Sequence, residues 1–204
     1  MQLLLVRHAL PERVLATDDG VADPALTPEG TEQAKRLPLA LAPYQVSTLV
    51  SSPQRRALAT AAPVAEALGL PVGIDPGLAE YDHGRSHYIP IHEAKDIAPD
   101  AYAQILAGHL PDFVDEPAFR ARVLAGFGRI VDAAHHEDTV AVFAHGGVIN
   151  VYLQHLLGLE RPLTFPIDYT SVTRVLISRN GSTRTASVNE TGHVRDLLTS
   201  RRPS

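Results

Sequence analysis

Gln2-Leu3-Leu4-Leu5-Val6-Arg7-His8 places four consecutive apolar residues before a cation and a histidine. Gln2–Val6 reads as a strand buried on both faces, as in a parallel sheet covered by helices. An arginine and an imidazole are costly to bury without partners, so at a strand end they belong to a cleft. Three later segments repeat the arrangement: Ser51-Ser52-Pro53-Gln54-Arg55-Arg56, Leu78-Ala79-Glu80 and Ala144-His145-Gly146-Gly147. Each follows a short apolar or strand-like stretch.

Outward from β-like Gln2–Val6, strands and helices alternate. Thr27-Pro28-Glu29 has the form of an N-cap followed by proline in the first turn, with Ala34, Leu37 and Leu41 at helical spacing. Val46–Val50 is a second strand. Ser52-Pro53 opens a helix with Leu58, Ala61, Ala65 and Leu68 on one face, closed by Gly69. Pro71–Asp75 is a third, short strand. Prolines at 90, 99, 111 and 117 cut the stretch 82–116 into short pieces, some of them helical. Phe119, Val123, Phe127 and Ile130 mark a long amphipathic helix starting near Pro117. Thr139–Ala144 is a buried strand, Val148–Leu157 a helix ended by Gly158, and Ser171–Ser178 with Thr183–Val188 a hairpin around Asn180-Gly181.

The expected fold is therefore α/β: a three-layer αβα sandwich around a mostly parallel sheet, with one antiparallel edge element. No repeat, low-complexity tract or linker divides residues 1–204, which read as one domain with 82–116 as an insertion. In such sheets ligands bind beyond the carboxyl ends of the strands. The four polar segments are thereby expected in a single cleft.

The composition narrows the function. The 204 residues carry a formal net charge of −5, which argues against nucleic acid as the main partner. There is no cysteine, so disulfides, thiolate catalysis and cysteine-bound zinc are excluded together. No stretch approaches the ~20 apolar residues of a membrane span. The first apolar run is too short for a signal peptide. A cytoplasmic, soluble domain without membrane partners is the expectation, and the oligomeric state is open.

With these segments in place, the chain resembles the histidine phosphatase superfamily, which also holds the phosphoglycerate mutases. The resemblance rests on Arg7-His8-Ala9, on Arg56-Ala57-Leu58-Ala59-Thr60-Ala61, on Leu78-Ala79-Glu80-Tyr81-Asp82-His83-Gly84 and on Ala144-His145-Gly146-Gly147. Leu26–Ala34 and Asn189–Val194 add supporting matches. Together the motifs span nearly the whole chain in the family's order.

The resemblance implies a phosphatase that needs no cofactor or metal. His8 would attack phosphorus and split hydrolysis into two displacements. Arg7 and Arg56 would clamp the phosphoryl oxygens, because guanidinium matches that geometry and holds its charge. The family register selects Arg56, with Arg55 as the alternative. His145 would donate to the phosphoryl group, aided by Gly146 and Gly147, whose backbone N–H groups can approach an anion at a helix N-terminus. Glu80 would protonate the leaving alkoxide and then activate water, which calls for a carboxyl with a raised pKa; Asp82 lies close enough in sequence to be mistaken for it.

The other histidines suggest less. His83 and His87 lack a metal-ligand pattern and read as pocket-rim residues. His92, His109 and His155 read as surface or boundary residues, and His193 as structural.

The substrate is the least transferable property. Leu10–Val14 lacks the hydroxyl and asparagine residues that mutases carry after their histidine, and Arg85-Ser86-His87 replaces the usual tryptophan and glutamate. Residues 82–116 hold Arg85 and Lys95 against seven acidic residues, a balance that disfavours polyanions. The expectation is a small or weakly charged phosphomonoester, with phosphoproteins open. The alternatives are mutase-type phosphoryl transfer and a catalytically silent phosphate-binding module on the same fold.

Overall fold

The computed structural model describes residues 1–15 and 20–198, apart from the His92 side chain. Its strands are β1 (Gln2–Arg7), β2 (Thr48–Ser51), β3 (Val72–Ile74), β4 (Thr139–Ala144), β5 (Val172–Ile177) and β6 (Thr183–Glu190). Its helices are α1 (Pro28–Lys35), α2 (Leu37–Leu41), α3 (Arg55–Leu68), α4 (Ile91–Ile97), α5 (Pro99–Leu106), α6 (Glu116–Ala133) and α7 (Gly146–Leu157). The strands form one sheet in the order β3-β2-β4-β1-β5-β6. β1 to β4 run parallel, and β5 and β6 close the far edge as an antiparallel hairpin.

Side-chain alternation along β1 and β4 builds two cores from one sheet. Leu3 and Leu5, with Val140, Val142 and Ala144, pack against α6 and α7 through Phe119, Val123, Phe127 and Leu153. Leu4 and Val6, with Ala141 and Phe143, pack against Leu37, Leu41, Ala61 and Val64 on the opposite face. This is the αβα sandwich expected from the unbroken apolar runs. Truncating Leu3 or Leu4, both fully buried, would cost about 2–5 kcal/mol.

Local differences from the sequence reading have simple causes. The helical pattern through Leu37 and Leu41 is two helices meeting at Arg36, because Pro38 cannot continue a helix from α1. The first cap holds as read, with Thr27 accepting the Gly30 amide at 2.9 Å. Helix α3 begins at Arg55 rather than at Ser52-Pro53. Its buried stripe is Ala57, Thr60, Ala61 and Val64, one residue before the expected face, which leaves Leu68 42% exposed. Helix α6 is capped by Asp115, which accepts the Ala118 amide at 3.0 Å. Within 82–116, Pro99 sits in the first turn of α5, where its missing N–H costs nothing. Among the described residues no helix is long and apolar enough to cross a membrane.

Candidate active site

Strand register brings the site together. Arg7 lies opposite Ala144, and Ser51 opposite Phe143, so β1, β4 and β2 end abreast. The residues just beyond, His8, His145 and Ser52, are therefore neighbours, and the His8 and His145 ring centroids lie 5.0 Å apart. The His8 amide donates to Ala144 O at 2.9 Å, and the Ser52 amide to Phe143 O at 2.9 Å, extending the sheet pattern into the cleft.

His8 is buried, and its Nδ1 lies 2.7 Å from Ala9 O. A carbonyl only accepts, so Nδ1 carries the proton and Nε2 presents its lone pair. Burial, then the charges of Arg56 and Arg7, hold the imidazole well below its usual pKa and keep it neutral. The Ala9 amide donates to Thr60 Oγ1 at 2.9 Å, and Thr60 donates to Arg56 O at 2.7 Å, locking β1's end to α3. Besides glycines, the described residues with positive φ are Gln45, Thr170 and Asn189. Ala9 therefore stands without strain where glycine is commoner.

Both arginines flank His8. Arg7 Nη1 donates to Ile167 O at 2.5 Å, and its guanidinium lies 4.0 Å over the Tyr169 ring. Arg56 is fully buried, with Nη2 donating to both Asp82 oxygens at 2.8 and 2.9 Å. Burial works against its charge, but its acidic surroundings, Asp82 foremost, together outweigh that and raise its pKa. Arg55 is exposed instead, and its backbone amide donates to Asp23. Among the described residues, Nε of Arg7, Nε and Nη1 of Arg56 and Nδ1 of His145 are buried without a hydrogen-bond partner. Buried guanidinium donors with nothing to donate to are costly, and an anion in the cleft would give them an acceptor.

His145 is fully buried, with Nε2 2.7 Å from Ser52 Oγ. Burial, then Arg56 and His8, hold it well below its usual pKa. The two glycines behind it differ, contrary to the reading that both serve an anion. The Gly147 amide donates to Glu80 Oε2 at 2.8 Å, so of the two glycines it is Gly146, at the head of α7, whose first-turn N–H is left for an anion. A β-carbon at 146 would meet only the Arg7 side chain, at 3.7 Å, an ordinary contact.

Glu80 is 7% exposed, and its second oxygen accepts the Tyr81 amide at 3.2 Å. Burial first, then the neighbouring Asp82 charge, raise its pKa to about 7, against the pull of the Gly147 amide and Arg56. Gln54 holds the two carboxylates' segment in place. Its Oε1 accepts the Glu80 amide at 2.7 Å, and its Nε2 donates to Asp82 Oδ1 at 3.1 Å. From α6, Arg122 Nη1 reaches Gly77 O at 2.9 Å and Ala79 O at 2.8 Å, bracing the turn before Glu80.

All the site residues read from the sequence thus converge, and the structure adds Ser52, Gln54, Asp82 and Tyr169. Ser52 and Gln54 stand in the Arg56 segment, where buried polar side chains beside a cation were the available signal. Tyr169 had none. Its loop is held by Asn189, which accepts the Asp168 amide at 2.7 Å, and by the Thr170 amide donating to Arg7 O at 3.0 Å. His83 is exposed and His87 half-buried, while the His92 side chain lies outside the described residues. His193 Nε2 donates to Thr170 O at 3.0 Å. Among the described residues no three or more His, Asp or Glu side chains are grouped to hold a metal ion.

Comparison with known proteins bears on this geometry. Residues 3–191 match the family model of the histidine phosphatase superfamily, branch 1. A Hydrogenobacter thermophilus protein named "Putative phosphoserine phosphatase 2" is 30% identical over 203 residues, 96% of this chain and 98% of its own length. Phosphoserine phosphatase 1 of the same organism is 29% identical, covering 78% of each chain. A mycobacterial glucosyl-3-phosphoglycerate phosphatase, solved with inorganic phosphate, superposes with a TM-score of 0.75 at 25% identity, covering 95% of this chain and 99% of its own.

Proposed function

The chain belongs to the histidine phosphatase superfamily (branch 1) and is a phosphatase of that type, and we propose that it hydrolyses small phosphomonoesters through a phosphohistidine on His8. The observation that carries this reading is the set of buried, unpartnered donors on Arg7, Arg56 and His145 around an imidazole whose tautomer leaves Nε2 free.

In the first displacement His8 Nε2 forms a bond to phosphorus as the ester P–O bond breaks. Arg7, Arg56 and Nδ1–H of His145 hold the equatorial oxygens, where charge accumulates. The leaving alkoxide takes the proton of Glu80, a carboxyl whose pKa of about 7 lets it stay protonated near neutrality. In the second displacement water attacks phosphorus and the P–N bond breaks. The Glu80 carboxylate accepts the water proton, and inorganic phosphate leaves. The arginines supply the fixed positive charge a metal would otherwise provide, so the reaction needs none.

Residues 82–116 would cap this site. Tyr88 pairs with Val14 in an isolated bridge, the Ala22 amide donates to Arg85 O at 2.7 Å, and Arg13 pairs with Glu93 at 2.6 Å. These contacts hold the segment over the loops that follow His8. Its acidic balance favours a leaving group of little net charge over a second phosphate, which speaks against mutase chemistry. The names of the relatives, phosphoserine and glucosyl-3-phosphoglycerate phosphatases, support a small metabolite ester over a phosphoprotein.

The deciding experiment is His8→Ala with an aryl phosphate. Turnover should vanish while cooperative unfolding is retained, and the wild-type enzyme quenched in acid-free conditions should carry phosphate on His8. Wild-type turnover in the variant would overturn the mechanism.

A further inference from the structure

We propose that Ser52 is a positioning residue whose hydroxyl donates to Nε2 of His145 and so keeps the His145 proton on Nδ1. The consequence for catalysis rests on the phosphatase reading above; the assignment of the proton rests on donor counting.

Ser52 is fully buried, and its Oγ has two recorded neighbours. The Gln54 amide donates to it at 3.3 Å, and His145 Nε2 lies at 2.7 Å. A hydroxyl has one hydrogen to give. An amide N–H can only donate, so the hydroxyl hydrogen is left for His145 Nε2, which must then accept. A neutral imidazole that accepts at Nε2 carries its hydrogen on Nδ1. With the opposite tautomer, Nε2–H and the Gln54 amide would both donate to Oγ, and the hydroxyl hydrogen would have no recorded acceptor. Burying it unpaired would cost more than the bond returns.

Local sequence supports the arrangement. Pro53 has no N–H to compete for the Ser52 hydroxyl. It also biases Ser52 towards extended backbone, continuing the line of β2. Gln54 then serves two ends of the site, its backbone feeding Ser52 and its side chain holding the Glu80 amide and Asp82.

The consequence is a choice of sign. His145 Nδ1 is buried and has no hydrogen-bond partner among the described residues. With its proton it donates to a phosphoryl oxygen; without it, a lone pair faces an anion. His145 is neutral at working pH, so charge cannot make the choice. Ser52 makes it.

The test is long-range proton–nitrogen NMR of the full-length protein labelled with nitrogen-15 in its histidines, at neutral pH. His145 should show a protonated Nδ1 and an unprotonated Nε2. The reverse pattern would overturn the proposal, whatever the activity. In Ser52→Ala the two tautomers should mix, and kcat for a phosphomonoester should fall about tenfold with KM little changed. That loss is smaller than the ~10²–10³ of deleting such a donor outright. Ser52→Thr, which keeps a hydroxyl, should restore both the tautomer and most of kcat. An unchanged His145 pattern in Ser52→Ala would also overturn it. The NMR readout needs no turnover, so a failed tautomer assignment and a failed phosphatase reading give different results.

Discussion

Glu80 Oε2 accepts the Gly147 amide at 2.8 Å, while a β-carbon on Gly147 would stand 2.4 Å from Glu80 Oε1 and 2.9 Å from the Tyr81 ring. The glycine is required for close approach rather than for backbone freedom, since its φ is not positive. Gly147→Ala should displace the carboxyl and lower kcat about 100-fold for alkyl phosphates, with a smaller loss for aryl phosphates, whose leaving groups need little protonation. Steady-state kinetics on the two substrate classes check this. Equal losses would point to another acid.

The pH dependence follows from the same carboxyl. Glu80 must be protonated to assist departure, and its pKa lies at about 7. The neutral form of His8 persists to low pH, because burial and the arginines depress its pKa. For an alkyl phosphate, kcat/KM should therefore fall as pH rises through about 7, and Glu80→Gln should lose that limb along with most of its rate. A limb unchanged in the variant would assign it elsewhere.

Stability carries the same signature. A folded pKa raised above the unfolded value means the native state holds the Glu80 proton more tightly. The resulting stability is present below pH ~4.5 and is lost as pH rises through about 7. Glu80→Gln should therefore gain on wild type by about 3 kcal/mol between pH 4.5 and pH 8. Denaturant melts at the two values measure it; a constant difference would mean that Glu80 ionises normally.

Asp82 takes Arg56 with both oxygens, and its charge raises the pKa of the neighbouring Glu80. Asp82→Asn removes a charge that raises the Glu80 pKa, so the limb of the pH profile should move to lower pH. It also leaves the buried Arg56 without its carboxylate, a change that costs about 3 kcal/mol. A limb that stays in place would show burial alone to be responsible.

The two adjacent arginines should separate cleanly. Arg56→Lys loses the planar fork and the Asp82 pair, and kcat should fall about 10²–10³-fold. Arg55→Ala, exposed and tied only through its amide, should keep near wild-type kcat. Matched losses would overturn the assignment.

Much of this was legible in one dimension, because it depended on local pattern. The unbroken apolar runs Leu3–Val6 and Thr139–Ala144 can be satisfied only by a sheet covered on both faces, and the polar residues that end them must then emerge at one edge. Arg7, His8 and His145 are legible for that reason, whereas Glu80 lies past a short turn after β3 and is legible through the motif Leu78-Ala79-Glu80 that the resemblance supplies. In helix α3 the many alanines mark no single face by size, so the buried stripe falls a residue before the one the leucines suggest, and at Arg36 the helix breaks because Pro38 overrides the apolar spacing.

Local pattern suffices for the order of strands and helices and for the kinds of group brought to the cleft. It takes packing in three dimensions to select which of two carboxylates meets Arg56, which of two arginines is buried and which nitrogen of His145 carries its proton. Those choices lie in hydrogen bonds between residues 26 to 93 positions apart, Arg56 with Asp82 and Ser52 with His145 among them. Their distances are set by how β2, β4 and the turn after β3 pack, which no local pattern encodes.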